Sequence, residues 1–198
     1  MKVEILKTEK IFEGFMTLTR TLLRFEKFNG EMSKPVVRIN VYRGDAVAIL
    51  VYNAAKETFF LVRQFRFPIY TVEPQDGWTL EVVAGMVEGS SDLKGTAARE
   101  IEEEIGYRID ADKLESIGKC YPSPGGMSER IFLFAVDVSG AERVNDGGGL
   151  EDETEDIRVE ELAYEQVFDL VDKGELCDAK SLITLDWFRY KKLPTLRS

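Results

Sequence analysis

The sequence predicts an α+β fold. Three observations carry it: β-branched and aromatic residues fall in short runs between turn signals from residue 16 to about residue 67, one helical segment near the middle has a cap at each end, and two further helical segments close the chain. Asn29-Gly30 lies between Leu22-Leu23-Arg24-Phe25 and Val36-Val37-Arg38-Ile39, where it supplies the positive φ of a hairpin. Residues 46–52 are uniformly apolar and read as a buried strand, with 59–65 as the antiparallel partner across 53–57. Residues 69–78, with Pro74 and Gly77, read as a loop, and 79–84 as a strand running into Gly85. Asp92 caps a helix over 93–105, closed by Gly106 in the left-handed conformation. Strands follow at 116–121 and 131–138, then a polar Gly-rich loop over 140–155 and a strand at 157–162. The last helices span 164–173, before Gly174, and 179 to about 191, before Pro194.

Composition narrows the chemistry. The 198 residues suffice for one well-filled domain, and 26 Lys+Arg against 36 Asp+Glu give a net charge of −10. There is no histidine, which excludes histidine-based nucleophile pairs, imidazole metal sites and an imidazole pH switch. Acid-base work falls to carboxylates, Lys or Tyr. Cys120 and Cys177 are too few for a disulfide framework and suit a reducing cytoplasm, where the chain is expected to reside. No apolar run is long enough to span a bilayer, so no membrane partner is expected, and the acidity argues against nucleic acid. An anionic substrate would need a cation as intermediary.

The acids of the middle helix point to that cation. Glu100, Glu103 and Glu104 stand at i, i+3 and i+4, on one helix face, where three like charges either splay into water or surround a divalent ion. Oxygen ligands alone select a hard ion, Mg²⁺ or Mn²⁺. Ala98, Ile101 and Ile105 are expected to anchor the helix, and Arg99 to reach Glu103. The Gly-rich entry at Gly85 lets a backbone carbonyl near Ala84 add a ligand.

Gly85, Arg99, Glu100, Ile101, Glu103, Glu104, Gly106 and Tyr107 stand at fixed spacing, and the segment resembles the Nudix box. One position departs: the first Glu of the box falls on Ser91. Gly14-Phe15, residues 28–33, Gln64-Phe65-Arg66, residues 123–130 and residues 153–158 look like the bacterial ADP-ribose pyrophosphatase branch. Residues 147–153 also resemble the related GDP-mannose pyrophosphatases. The resemblance implies a Nudix α/β/α sandwich with a mixed central sheet, residues 45–198, and an N-terminal antiparallel region, residues 1–44, that dimerises and helps bind the base. It implies metal ligands at Glu100, Glu104 and the Ala84 carbonyl, with Glu103 a further ligand or outer acid. Arg66 falls where the family meets the pyrophosphate, Glu129 where it approaches the terminal sugar, and Phe15 and Arg38 where it holds the nucleobase. The catalytic base falls on the acidic loop, at Glu153 first and Glu155 second.

The expected function is metal-dependent hydrolysis of a nucleoside diphosphate sugar by a homodimer, with ADP-ribose giving AMP and ribose 5-phosphate as the leading case. The alternatives are GDP-mannose or a UDP-sugar, a nucleoside triphosphate, and a nucleotide-sensing domain without turnover. Ser123-Pro124-Gly125-Gly126 reads as a tight turn, and Leu182, Leu185, Trp187 and Phe188 as core or dimer contact.

Overall fold

Strand β1 (Val3–Glu13) occupies a segment whose interleaved Lys and Glu hide its strand character in the sequence. Ten of its eleven residues are exposed, so charge alternation here marks a solvated edge strand rather than a loop. It pairs antiparallel with β2 (Thr17–Phe25), which pairs antiparallel with β3 (Val36–Tyr42). Between β2 and β3 the Asn29-Gly30 turn is set within a wider connection: Gly30 takes φ 83° and its N–H donates to the Lys27 carbonyl at 2.9 Å, while Glu26 bridges Met32. The structure, a computed structural model, describes residues 1–87, 92–150 and 155–197. The chain divides into two compact units, Met1–Asp45 with Tyr121–Arg130, and Ala46–Cys120 with Ile131–Ser198.

The second unit is built on β4 (Ala46–Asn53), all eight residues of which are buried. Alternation sends Ala48, Leu50 and Tyr52 into one apolar cluster and Val47, Ile49 and Val51 into another, so the strand needs cover on both faces. β5 (Thr58–Phe65) returns antiparallel with Asn53 opposite Thr58. The expected single strand over 79–84 is two, β6 (Trp78–Glu81) on β5 and β7 (Val83–Met86) on β4, separated at Val82. The expected loop before them contains a short helix, α1 (Phe67–Tyr70).

Helix α2 (Leu93–Ile105) has the expected ends: the Asp92 side chain accepts from the Gly95 N–H at 2.9 Å, and Gly106 closes it at φ 78°. β8 (Tyr107–Arg108) and β11 (Glu142–Arg143) form a small ribbon. β9 (Glu115–Cys120), β10 (Ile131–Asp137) and β12 (Arg158–Ala163) complete the main sheet, in the order β12-β5-β4-β10-β9. β10 runs parallel to β4 and the other pairs are antiparallel, so the sheet is mixed.

α2 covers one face through Ala97, Ile101 and Ile105; Ala97, not the expected Ala98, is the buried alanine. The other face meets α3 (Tyr164–Asp172) and α4 (Ala179–Trp187). There Phe59 packs on Tyr164 and Phe188 with ring centroids 4.4 and 4.8 Å apart. The helical path continues past α4 through a wider π turn, Phe188–Lys192, into α5 (Leu193–Leu196). Pro194 therefore lies in the first turn of α5, where its missing N–H costs nothing, rather than ending a helix. Leu185 and Phe188 are core as expected. Among the described residues no helix is long and apolar enough to cross a membrane.

Candidate active site

α2 presents its three acids in unequal settings. Glu104 is 2% exposed, and its Oε2 has no hydrogen-bond partner among the described residues. Burial, with the nearby charges of Glu100 and Glu155, raises its pKa well above the ordinary value, against the pull of the Ala84 N–H that it accepts. Glu100 is also buried; desolvation raises it to about 7, against the Arg99 guanidinium 2.6 Å away. Glu103 is half-buried and pairs with Arg99 through the other arm of that guanidinium. Arg99 thus takes up two of the three acids, and among the described residues no group of three or more acids stands gathered at metal-ligand spacing.

Two backbones are shaped around these carboxylates. A methyl group at Gly85 would overlap the Glu100 carboxylate, so the strand passes the helix at glycine distance. Gly147, Gly148 and Gly149 all take positive φ, and the N–H groups of Gly148 and Gly149 donate to the Glu104 and Glu103 carbonyls at 2.9 and 3.2 Å. Those carbonyls belong to the last turn of α2, which has no helical donors of its own. The Gly-rich loop is therefore docked on the helix end. Its continuation holds Glu155 by mutual bonds with Leu150, and the Glu155 charge acts on both Glu100 and Glu104. Glu153 and Ser91 lie outside the described residues.

Arg66, at the N-terminal end of α1, completes this group. Its Nε and Nη2 each donate to Glu81 at 2.8 Å, and its charge also acts on Glu104. Glu81, on β6, is 3% exposed and receives a further bond from Lys180 Nζ at 2.6 Å. Burial alone would raise Glu81, but Arg66 and Lys180 bring it down to about 2. Neither Glu81 nor Lys180 is marked by a motif. The available signal was a lone acid in the otherwise apolar run Leu80 to Ala84, a position that is buried only with a partner.

The remaining sequence-predicted residues belong to the other unit. Phe15, between β1 and β2, is 77% exposed, so it is not a core residue, and the Arg43 guanidinium lies 5.9 Å from its ring centroid. Arg38 is on β3, opposite Thr21, with Nη1 donating to the Val37 carbonyl. Glu129 is buried and ion-paired with Arg43 at 3.3 Å. It follows the Ser123-Pro124-Gly125-Gly126 turn, closed by the Gly126 N–H on the Ser123 carbonyl at 3.1 Å.

The family model described as "NUDIX domain" matches residues 42–190. This chain belongs to the NUDIX family. Arg66, Glu81, Ala84, α2, Glu129 and Glu155 lie inside the NUDIX match, while Phe15 and Arg38 precede it. Among its relatives, an ADP-ribose pyrophosphatase of Escherichia coli (strain K12) is 35% identical over 189 residues, covering 94% of this chain and 88% of that one. A GDP-mannose pyrophosphatase of Enterobacter sp. (strain 638) is 31% identical over 194 residues, covering 98% of each. The crystal structure of an ADP compounds hydrolase shares the fold, with a TM-score of 0.71 over 97% of both chains at 18% identity.

The NUDIX helix sets the chemistry available. Glu104 and Glu100 are oxygen donors at a glycine-lined backbone, and one buried carboxylate oxygen has no partner among the described residues. Such a donor set fits a hard divalent cation.

Proposed function

We propose that this NUDIX chain hydrolyses the pyrophosphate bond of a nucleoside diphosphate sugar with Mg²⁺ or Mn²⁺, ADP-ribose to AMP and ribose 5-phosphate being the leading case. The observation that carries this reading is the orphan oxygen of Glu104, a buried acid with no ion-pair partner among the described residues, in the helix that bears the NUDIX acids. Relatives named for ADP-ribose and GDP-mannose support the substrate class.

In this proposal Glu100, Glu104 and the Ala84 carbonyl hold the ion, with Glu103 released from Arg99 as a further ligand. Bound there, the ion would offset substrate charge and lower the pKa of a coordinated water. Arg66 binds the diphosphate, and a loop acid, Glu153 or Glu155, orients the water and takes its proton. Phe15 and Arg38 hold the base and Glu129 approaches the terminal sugar. A homodimer is supported by the apolar side chains that the N-terminal sheet leaves exposed, including Val3, Ile5, Phe12 and Ile39. Cys120 and Cys177, which form no disulfide among the described residues, fit a cytoplasmic setting.

A panel of ADP-ribose, GDP-mannose, UDP-glucose and triphosphates, with and without Mg²⁺ and with products identified, tests the reading. Metal-dependent turnover of ADP-ribose is expected. Preference for GDP-mannose would move the assignment to the branch that residues 147–153 resemble, and binding without products in any metal would favour a sensor.

A further inference from the structure

The Glu81 carboxylate is the hub of a buried network in the second unit. Oε1 accepts from Arg66 Nε and from Thr79 Oγ1, and Oε2 from Arg66 Nη2 and Lys180 Nζ. Four donors meet the four lone-pair sites of one carboxylate, which is then fully satisfied. Lys180 also pairs with Asp178 at 2.9 Å, and Asp178 caps α4 through the Ser181 N–H at 3.0 Å. Ser181 Oγ accepts from the Val82 N–H at 2.9 Å, so the network returns to the backbone beside Glu81.

Of the acids whose charge acts on Arg66, namely Glu81, Glu104 and Asp178, the first two have opposite consequences. The Nε–Nη2 edge of Arg66 is committed to Glu81, while the arginine's charge also acts on Glu104, the acid with the orphan oxygen. A free guanidinium would be drawn to that oxygen and would cancel the charge meant for a cation. The fork holds it instead, leaving the Nη1 edge for a phosphate.

We propose that Glu81 is a positioning residue for diphosphate recognition: it clamps the Arg66 guanidinium in place, and Lys180 supplies the second cation that lets Glu81 remain a buried anion. This rests on the reading that Arg66 meets the substrate diphosphate. Glu81 touches no substrate and acts only through Arg66. Gln in its place cannot accept on all four sites, since its amide NH₂ would face donors.

The test is a double-mutant cycle over Glu81→Gln and Arg66→Gln. It is read both by kcat and KM for ADP-ribose and by calorimetric titration with inorganic pyrophosphate. Glu81→Gln is expected to lower kcat/KM about 10- to 100-fold, the range for a residue that orients a contacting group. Pyrophosphate affinity should fall in step, and both losses should vanish in the Arg66→Gln background. An undiminished Glu81→Gln loss in that background, or wild-type pyrophosphate binding by Glu81→Gln, overturns the proposal. Glu81→Asp, which keeps the charge but withdraws the fork by one methylene, runs the same cycle if the Gln variant does not fold. If no sugar nucleotide is turned over, the functional reading fails while the pyrophosphate titration still decides the clamp.

Discussion

Glu81 and Glu104 are both glutamates of the same unit, 3% and 2% exposed, and they are opposites in every other respect. Glu81 is surrounded by Arg66, Lys180 and Thr79 and is held down at about 2. Glu104 has one backbone donor, the acids Glu100 and Glu155 nearby and an oxygen with no partner among the described residues, and burial drives its pKa upward against the charge of Arg66. Burial alone therefore does not tell what an acid is for; its partners do. An acid that the fold has neutralised is structural or positioning, whereas one left uncompensated marks a place where the fold bears a cost that a cation can offset.

The largest expected effect breaks the uncompensated side. Glu104→Gln should lower turnover by about 10²–10³-fold, the size seen when one group stabilising transition-state charge is removed. The metal-free variant should nevertheless melt no lower than wild type, because Gln keeps the size of an acid whose charged form burial disfavours. Near-wild-type rates in steady-state assays would refute the role of Glu104.

Glu81→Gln should do the reverse to stability, lowering unfolding free energy at pH 7 by about 3 kcal/mol in urea titrations, since it removes one partner of a buried pair. The sign with pH follows from the value of about 2 against an ordinary 4.5. A lowered acid stabilises the fold above pH 4.5 and loses that contribution as pH falls through 2, so the gap between wild type and variant should close across that window.

Mg²⁺ at about 100 times its Kd should stabilise the wild type by about 2.7 kcal/mol, read as a rise in Tm, and should leave Glu104→Gln unmoved. The smallest effect is expected from Gly147→Ala. At φ 72° a methyl would press on the Glu104 carbonyl, so about 1–2 kcal/mol of stability should be lost as the loop lifts from α2, with a modest fall in kcat. Unchanged melting in a thermal scan would show that the glycine docking does not hold the loop.

Much of the frame was legible because it rests on local signals. The uniformly apolar run 46–52 lies in a strand buried on both faces, and Asp92 and Gly106 cap α2 as their chemistry dictates. What escaped is long-range. β1 has no local strand pattern of its own because its Lys and Glu face water; only the resemblance placed residues 1–44 in an antiparallel region. The break at Val82 depends on a hydroxyl almost one hundred residues away, at Ser181, and the pairing of Glu81 with Lys180 spans a similar separation. The carboxylates of α2 could be placed on one face from spacing alone. That Arg99 would take two of them, and leave Glu104 with an open oxygen, required the packed structure.

The Ser181 hydroxyl has a practical consequence. Val82, the hinge between two strands that serve different neighbours, is tied to the first turn of α4, and the same turn supplies Lys180. Trimming the chain before residue 178, by protease or by a cloning boundary, would strip the site of an ion pair and loosen the strand crossover together. Fusion tags and crosslinks are better placed elsewhere, because this helix is wired to Glu81 and Val82 although it is distant from them in sequence.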